Sequence, residues 1–305
     1  MIRILATDGM EASAVDKLKS LGYEVIEKFY EPEELKTAVK DVDVMVVRSA
    51  TKVKKDIIDA AAETGRLKLV IRGGVGIDNI DKPYAEEKGI KVTNTPAASS
   101  ASVAELTIGH MFSMARFIGI ANATMRNGEW NKKKYEGIEL AGKTLGLIGF
   151  GRIAKEVAKR AEVLGMNVVY NKRSGAEAEE ETARFVDLET LIKNSDFISL
   201  HIPKQKDKDY LIGKDEIEMM KDGVFLINTA RGGLIDEDAL VEALDSGKVS
   251  AAALDVFKEE PTKNEKITKH AKISMTPHIG AATKEAQTRI GGEIVQIIED
   301  FFSKE

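Results

Sequence analysis

Hydrophobic residues along this chain fall into short runs separated by stretches of helical spacing. Residues 2–7, 23–26, 44–47, 69–71 and 91–93 read as strands, several of them without a polar face. Between them, 12–21 (closed by Gly22), 32–39, 54–63 and 80–88 read as helices, with Pro32 suited to a first turn. Apolar strands alternating with helices predict a parallel sheet covered on both faces. One such α/β unit is complete before residue 98.

A long helix is then predicted over 99–120. Val103, Leu106, Ile108, Met111, Phe112 and Met114 make it apolar over much of its circumference, so it should be buried on several sides, between lobes or between subunits. His110 within it reads as a satisfied interior histidine. A second series follows, with strands at 144–148, 167–170, 197–200, 224–227, 251–254 and 273–275, helices at 187–194, 215–220 and 236–245 (stopped by Gly247), and a closing helix at 284–302. With 305 residues, two cores are expected rather than one. The predicted fold class is therefore α/β, two Rossmann-like doubly wound parallel-sheet domains with a cleft between them for a cofactor and a small substrate.

The second series opens on Gly149-Phe150-Gly151-Arg152-Ile153-Ala154, a glycine turn between a strand and an amphipathic helix that buries Ile153, Val157 and Ala161. Such a turn aims free backbone N–H groups and the positive helix end at one point, which suits a pyrophosphate. Gly149 permits the turn, Gly151 lets the backbone approach the phosphates, and Ala154 is small enough to pack on the strand.

Ligands of open parallel sheets bind beyond the carboxyl ends of the strands. Directly after three strands of this series come Asn228-Thr229-Ala230-Arg231-Gly232-Gly233, then Asp255 through Glu260, then Thr276-Pro277-His278-Ile279-Gly280. Each residue taken singly is an ordinary surface side chain. Together they bring an arginine, an acid and an imidazole to the edge that carries the glycine turn. Oxidising an alcohol by hydride transfer needs a base, and histidine titrates near neutrality, so His278 is the candidate. Glu260 beside it would fix the tautomer and favour the protonated ring. Arg231 would clamp a substrate carboxylate through paired N–H···O bonds and polarise the neighbouring carbonyl. His201 follows a strand without a companion acid and reads as part of a cofactor wall; His270, among lysines, reads as exposed.

Composition narrows the partners. The chain is 43% hydrophobic and 31% charged with a net charge of −5, which argues against nucleic acid and anionic membranes. The run Lys132-Lys133-Lys134 reads as a solvated face. With no cysteine, disulfides, thiolate catalysis and cysteine-ligated zinc are excluded, and no metal site is read. No run approaches the ~20 apolar residues of a membrane span, and the N-terminus lacks a signal-peptide pattern, so a cytoplasmic protein is expected.

These motifs resemble those of the D-isomer-specific 2-hydroxyacid dehydrogenases, and within them the 3-phosphoglycerate-oxidising group. The likeness extends through Val47 to Val53, Arg72-Gly73-Gly74-Val75-Gly76-Ile77-Asp78-Asn79, Asn94-Thr95-Pro96, Ala104-Glu105-Leu106, Gly149 to Ala154, Asn228 to Gly233, Ala253 to Phe257 and Thr276 to Gly280. The resemblance implies catalysis by Arg231, Glu260 and His278. It implies cofactor contacts at Val75, Gly149, Gly151, Arg152, Ile153, Asn171, Lys172, His201, Pro203, Thr229, Ala230, Arg231, Asp255, His278 and Gly280. Substrate contacts are implied at Arg48, Ser49, Arg72, Gly74, Val75 and Arg231. The family's nucleotide domain is inserted into its substrate domain, so 1–98 plus 283–305 would bind substrate and 99–282 the dinucleotide.

Two departures bear on function. The chain ends at Glu305 without the serine-sensing extension of larger relatives, so serine feedback is not expected. The acid that holds the adenosine ribose usually closes the second strand, but here the chain reads Tyr170-Asn171-Lys172-Arg173, and the nearest acid, Glu177, lies too far along. Family habit implies NAD; Lys172 and Arg173 admit NADP. The expected activity is oxidation of 3-phospho-D-glycerate, opening serine synthesis, with reduction of glyoxylate, hydroxypyruvate or another 2-keto acid as the alternative. A dinucleotide-sensing interaction protein is a third reading, which the intact Arg/Glu/His set opposes. A homodimer, or a dimer of dimers, through the 99–120 helix is expected, with a small-molecule substrate as the other partner.

Overall fold

A computed structural model describes residues 1–177, 182–204 and 209–303. The chain divides into two compact units, Met1–Ser99 with Ala281–Glu305, and Ser100–Gly280.

In the first unit, β1 (Arg3–Ala6), α1 (Ala12–Ser20), β2 (Glu24–Glu27), α2 (Pro32–Ala38), β3 (Val44–Val47), α3 (Lys55–Ala62), β4 (Leu69–Arg72), α4 (Lys82–Glu87) and β5 (Lys91–Asn94) alternate in sequence. The five strands form one parallel sheet in the order β2-β1-β3-β4-β5. β3 is buried on both faces, which is why its four residues are all Val or Met. Polar side chains start several of the helices: the Asp81 carboxylate accepts from Tyr84 N at the head of α4.

The second unit contains α5 (Ser100–Arg116), α6 (Ile118–Arg126), β6 (Thr144–Ile148), α7 (Arg152–Val163), β7 (Asn167–Asn171), β8 (Arg184–Phe185), α8 (Leu188–Asn194), β9 (Phe197–Leu200), α9 (Lys214–Met219), β10 (Val224–Asn228), α10 (Glu237–Ser246), β11 (Val249–Leu254), α11 (Glu265–Thr268) and β12 (Ile273–Met275). Its seven-stranded sheet is also parallel, in the order β12-β11-β10-β9-β6-β7-β8. Counted from β6 this is the dinucleotide-binding order 3-2-1-4-5-6 with one further strand. The order reverses between β6 and β9, which lie side by side. One face of the sheet packs Met111, Met114, Val157 and Ala161 from α5 and α7; the other packs Leu191, Ile217, Leu240 and Leu244 from α8, α9 and α10. The last helix, α12 (Lys284–Phe302), returns to the first unit. Its stripe Ile290, Ile294 and Ile298 covers β1, β3 and β4, each buried side chain contributing roughly 1.5–3 kcal/mol.

Two features differ from the sequence reading. The 99–120 helix is broken at Phe117, whose φ of 57° is left-handed, so α5 ends and α6 starts anew. On α5, Val103, Ala104, Met111, Met114 and Ala115 are buried, while Leu106, Ile108 and Phe112 are half-buried. α6 buries no residue fully. The two-residue β8 and the four-residue α11 carry too few positions for a periodicity to register.

Candidate active site

β6 runs into Gly149, whose φ of 92° suits glycine and whose N–H donates to Asn171 O at 2.8 Å. A Cβ at Gly149 would lie 2.4 Å from His201 O, so only glycine admits the loop after β9 this close. Gly151 stands at the N-cap of α7 with open space where a side chain would be, and no side chain caps the helix. Arg152 and Ile153 open its first turn, where backbone N–H groups have no intrahelical acceptor. An uncapped helix start behind a glycine turn at the sheet's reversal point fits a dinucleotide pyrophosphate.

Beyond β10, Asn228 braces the loop that carries Arg231. Its side-chain oxygen accepts from Ala230 N and Arg231 N, and its amide donates to Arg231 O at 2.8 Å. Thr229 is buried and meets the Thr107 hydroxyl of α5 at 2.9 Å. Gly232 lets this loop press on the next one, since a Cβ there would lie 1.6 Å from Phe257 O. Phe257 N in turn donates to Glu260 Oε1 at 3.1 Å, and Glu260 Oε2 lies 2.7 Å from His278 Nδ1. Burial works against ionisation of Glu260, but the His278 hydrogen bond and charge, the Phe257 amide and the Arg231 guanidinium outweigh it and hold the carboxyl below its usual 4.5. Arg231, Glu260 and His278 are thus joined by contact or charge, although the chain separates them by up to 47 residues.

His278 adopts φ 53°, a conformation costly for a residue with a Cβ. Asp255, 1% exposed, supplies the restraint. Its carboxylate accepts from the Thr276 hydroxyl (2.6 Å), Ile279 N (2.8 Å) and Gly280 N (2.9 Å), gripping the loop on both sides of His278. Asp255 and Gly280, residues for which cofactor contacts are implied, also hold this loop together. Thr276 Oγ1 also meets His110 Nε2 at 3.0 Å, while His110 Nδ1 meets Ser274 Oγ at 2.9 Å. His110 is the interior histidine expected, and burial, partly countered by Asp255, lowers its pKa.

In the first unit, Arg48 and Ser49 follow β3 while Gly74 and Val75 follow β4, its neighbour. Asp8, just beyond β1, accepts from Arg48 N (2.6 Å), Thr51 N (3.1 Å) and the Thr51 hydroxyl (2.6 Å). Asn79 closes the turn from the other side, donating to Arg48 O and Thr51 O at 2.7 Å each. Arg72 donates to Gly73 O and lies over Gly74, where any side chain would collide with its guanidinium. Asp8 and Asn79 were missed by the sequence reading. The rule that found His278, inspection of positions just past each strand, applies equally to Asp8.

At the end of β7, Asn171 donates to Val186 O at 2.8 Å. Lys172 is half-buried and paired with Glu177, which also takes Lys155 of α7. The chain turns back and sets the Glu177 carboxylate beside Lys172. Arg173 and Pro203 are exposed. His201 Nε2 meets Ser199 Oγ at 2.9 Å, and desolvation pushes the ring's pKa down to about 4. His270 is not exposed as expected; its side chain is only 13% accessible and meets Asp245. Lys132, Lys133 and Lys134 form an exposed single turn. No helix among the described residues is long and apolar enough to cross a membrane.

An open parallel sheet in this order, with an uncapped glycine turn at its reversal and an arginine, an acid and a histidine at the same edge, defines the dinucleotide-binding oxidoreductases. The NAD-binding-domain model of the D-isomer-specific 2-hydroxyacid dehydrogenases matches residues 108–280. The chain is 48% identical over 300 residues to a hydroxypyruvate reductase of Thermotoga maritima, covering 97% of both. It is 47% identical over 302 residues to a D-3-phosphoglycerate dehydrogenase of Methanocaldococcus jannaschii, covering 98% of this chain and 57% of that one. Among solved structures, an acyclic imino acid reductase in complex with NADPH and D-Arg superposes with a TM-score of 0.90 at 30% identity, over 99% of this chain and 98% of that one. The chain belongs to the D-isomer-specific 2-hydroxyacid dehydrogenases and is a nicotinamide-dependent oxidoreductase.

Proposed function

We propose that this enzyme interconverts 3-phospho-D-glycerate and 3-phosphohydroxypyruvate, the step that opens serine synthesis. The observation that carries the reading is the Arg48–Thr51 turn, held by Asp8 and Asn79 at the strand end next to that of Arg72 and Gly74. Two guanidinium-bearing residues on a braced edge suit a doubly charged phosphate. Arg48, Ser49 and Arg72 then take the distal phosphate, and the Gly74–Val75 backbone the carboxylate.

In the second unit, Gly149, Gly151 and the first turn of α7 hold the pyrophosphate of the dinucleotide. The bound nicotinamide supplies the hydride acceptor. His278 uses Nδ1 on Glu260, which leaves Nε2 to take the hydroxyl proton of the substrate and return it in the reverse direction. Glu260 stays ionised and holds the imidazole in that tautomer. Arg231 pairs with the substrate carboxylate and polarises the carbonyl that forms.

A second reading, reduction of hydroxypyruvate without a phosphate, is favoured by the full-length similarity to the Thermotoga hydroxypyruvate reductase. Steady-state rates on phosphohydroxypyruvate, hydroxypyruvate and glyoxylate with each reduced nicotinamide separate the two. Indifference to the phosphate ends the first reading. A cytoplasmic homodimer is the assembly we infer, formed through the α6 region, where Ile118, Met125 and Trp130 are 53%, 51% and 78% exposed. Light scattering of the native protein tests it.

A further inference from the structure

Dinucleotide sites of this order hold the adenosine ribose with an acid at the end of the second strand. Here β7 ends on Asn171, and Lys172 and Arg173 follow, a pattern that on its own points to a 2′-phosphate. The tertiary structure brings an acid to that position. One carboxylate oxygen of Glu177 meets Lys172 Nζ and the other meets Lys155 Nζ, which comes from the first turn of the glycine-turn helix α7. Glu177 is itself anchored, its N–H donating to the Tyr170 hydroxyl at 2.8 Å. Tyr170 is buried and stacks at 3.8 Å on Phe150, the residue between the two glycines of the turn. The carboxylate is thus tied to the fingerprint through the hydrogen bond, the aromatic stack and both lysines. It is only 26% exposed, and the lysine hydrogen bonds, Lys155 first, hold it ionised below 4.5 against a smaller desolvation.

We propose that Glu177 is the residue that selects the cofactor: by engaging Lys155 and Lys172 together it offsets one of their two charges and competes with a 2′-phosphate for both ammonium groups, so the site takes NAD. A ribose 2′-hydroxyl is neutral and can donate to a carboxylate, whereas a 2′-phosphate is an anion that must displace Glu177 from both lysines. The acid missing at the end of β7 is replaced by one six residues further on. This inference rests on the dehydrogenase reading of the glycine turn.

Titration of the full-length protein with NADH and NADPH by calorimetry tests it, with 5′-AMP and 2′,5′-ADP as probes of the adenosine end alone. The native protein is expected to bind NADH more tightly than NADPH by about tenfold or more, the scale of one charge-assisted hydrogen bond. Glu177→Gln should lower that ratio by about tenfold or more and strengthen 2′,5′-ADP, and adding Lys172→Ala to it should cancel the gain. A native preference for NADPH, or an unchanged ratio in Glu177→Gln with NADH still bound, overturns the assignment to Glu177 and leaves the dehydrogenase reading intact. Failure of the native protein to bind either dinucleotide overturns both. Glu177→Lys guards against loss of fold in a single variant: it should bind 2′,5′-ADP more tightly still, and a loss of that binding with NADH retained counts against the proposal.

Discussion

Glu260 Oε2 lies 2.7 Å from His278 Nδ1, and both side chains are a little over one-third exposed. The pair is therefore oriented by the protein yet open to a small molecule. His278→Ala removes the proposed base and should lower kcat/KM by about 10²–10⁴-fold. Glu260→Gln keeps a hydrogen-bonding group in place and should cost less than Glu260→Ala. Rates measured with saturating cofactor check this order; equal turnover in all three variants would remove both residues from the chemistry. Because the Glu260 carboxyl is held below its ordinary value, the pair stabilises the fold above pH 4.5 and loses that contribution as pH falls through the depressed value.

The left-handed backbone of His278 persists because Asp255 grips the residues around it. Asp255→Ala leaves the Ile279 and Gly280 N–H groups without their acceptor, at a cost of about 1–3 kcal/mol in stability. A base displaced by an ångström loses on the order of 10²-fold in kcat, with dinucleotide affinity less affected. Thermal unfolding and a kcat measurement on the same variant decide it. A variant that is destabilised but turns over normally would show that the loop holds His278 unaided.

Asp8 makes the corresponding contacts in the first unit, where its two oxygens hold Arg48 N, Thr51 N and the Thr51 hydroxyl. Asp8→Ala should raise KM for a phosphorylated substrate by about tenfold, some 1.4 kcal/mol of lost positioning, while kcat stays near native. The same variant should show a smaller change with hydroxypyruvate if the turn serves the phosphate. Equal effects on both substrates would assign the turn to the carboxylate end.

Burial holds His201 neutral, with its pKa near 4 against an ordinary 6.5. The unfolded chain binds this proton more readily between those values, so stability falls as pH drops from about 6.5 towards 4. The loss attributable to this group is on the order of 3 kcal/mol at most. His201→Asn should flatten the pH dependence of the unfolding midpoint in that window. An unchanged slope would trace the acid sensitivity to other groups.

Much of this protein was legible as sequence because its strands are short, apolar and punctuated by helices, a periodicity local to each segment. The Arg231, Glu260 and His278 positions were readable for a related reason: a parallel sheet delivers every post-strand residue to one edge, so sequence position implies spatial proximity. The break at Phe117 was not legible, since a single left-handed residue leaves hydrophobic spacing intact on either side. Nor was the role of Asp255, whose hydrogen-bond donors lie more than 20 residues away.

The amino-acid sequence alone determined the α/β class, the glycine turn, the absence of thiol chemistry and which side chains stand after which strands. Only the tertiary structure decided how those side chains pair: Asp8 with the Arg48–Thr51 turn, Asp255 around His278, and Glu177 across Lys155 and Lys172. The reason is physical. Propensity and periodicity act between neighbours in the chain, whereas a hydrogen bond or an ion pair depends on distance in space, which exists only once the sheets have assembled.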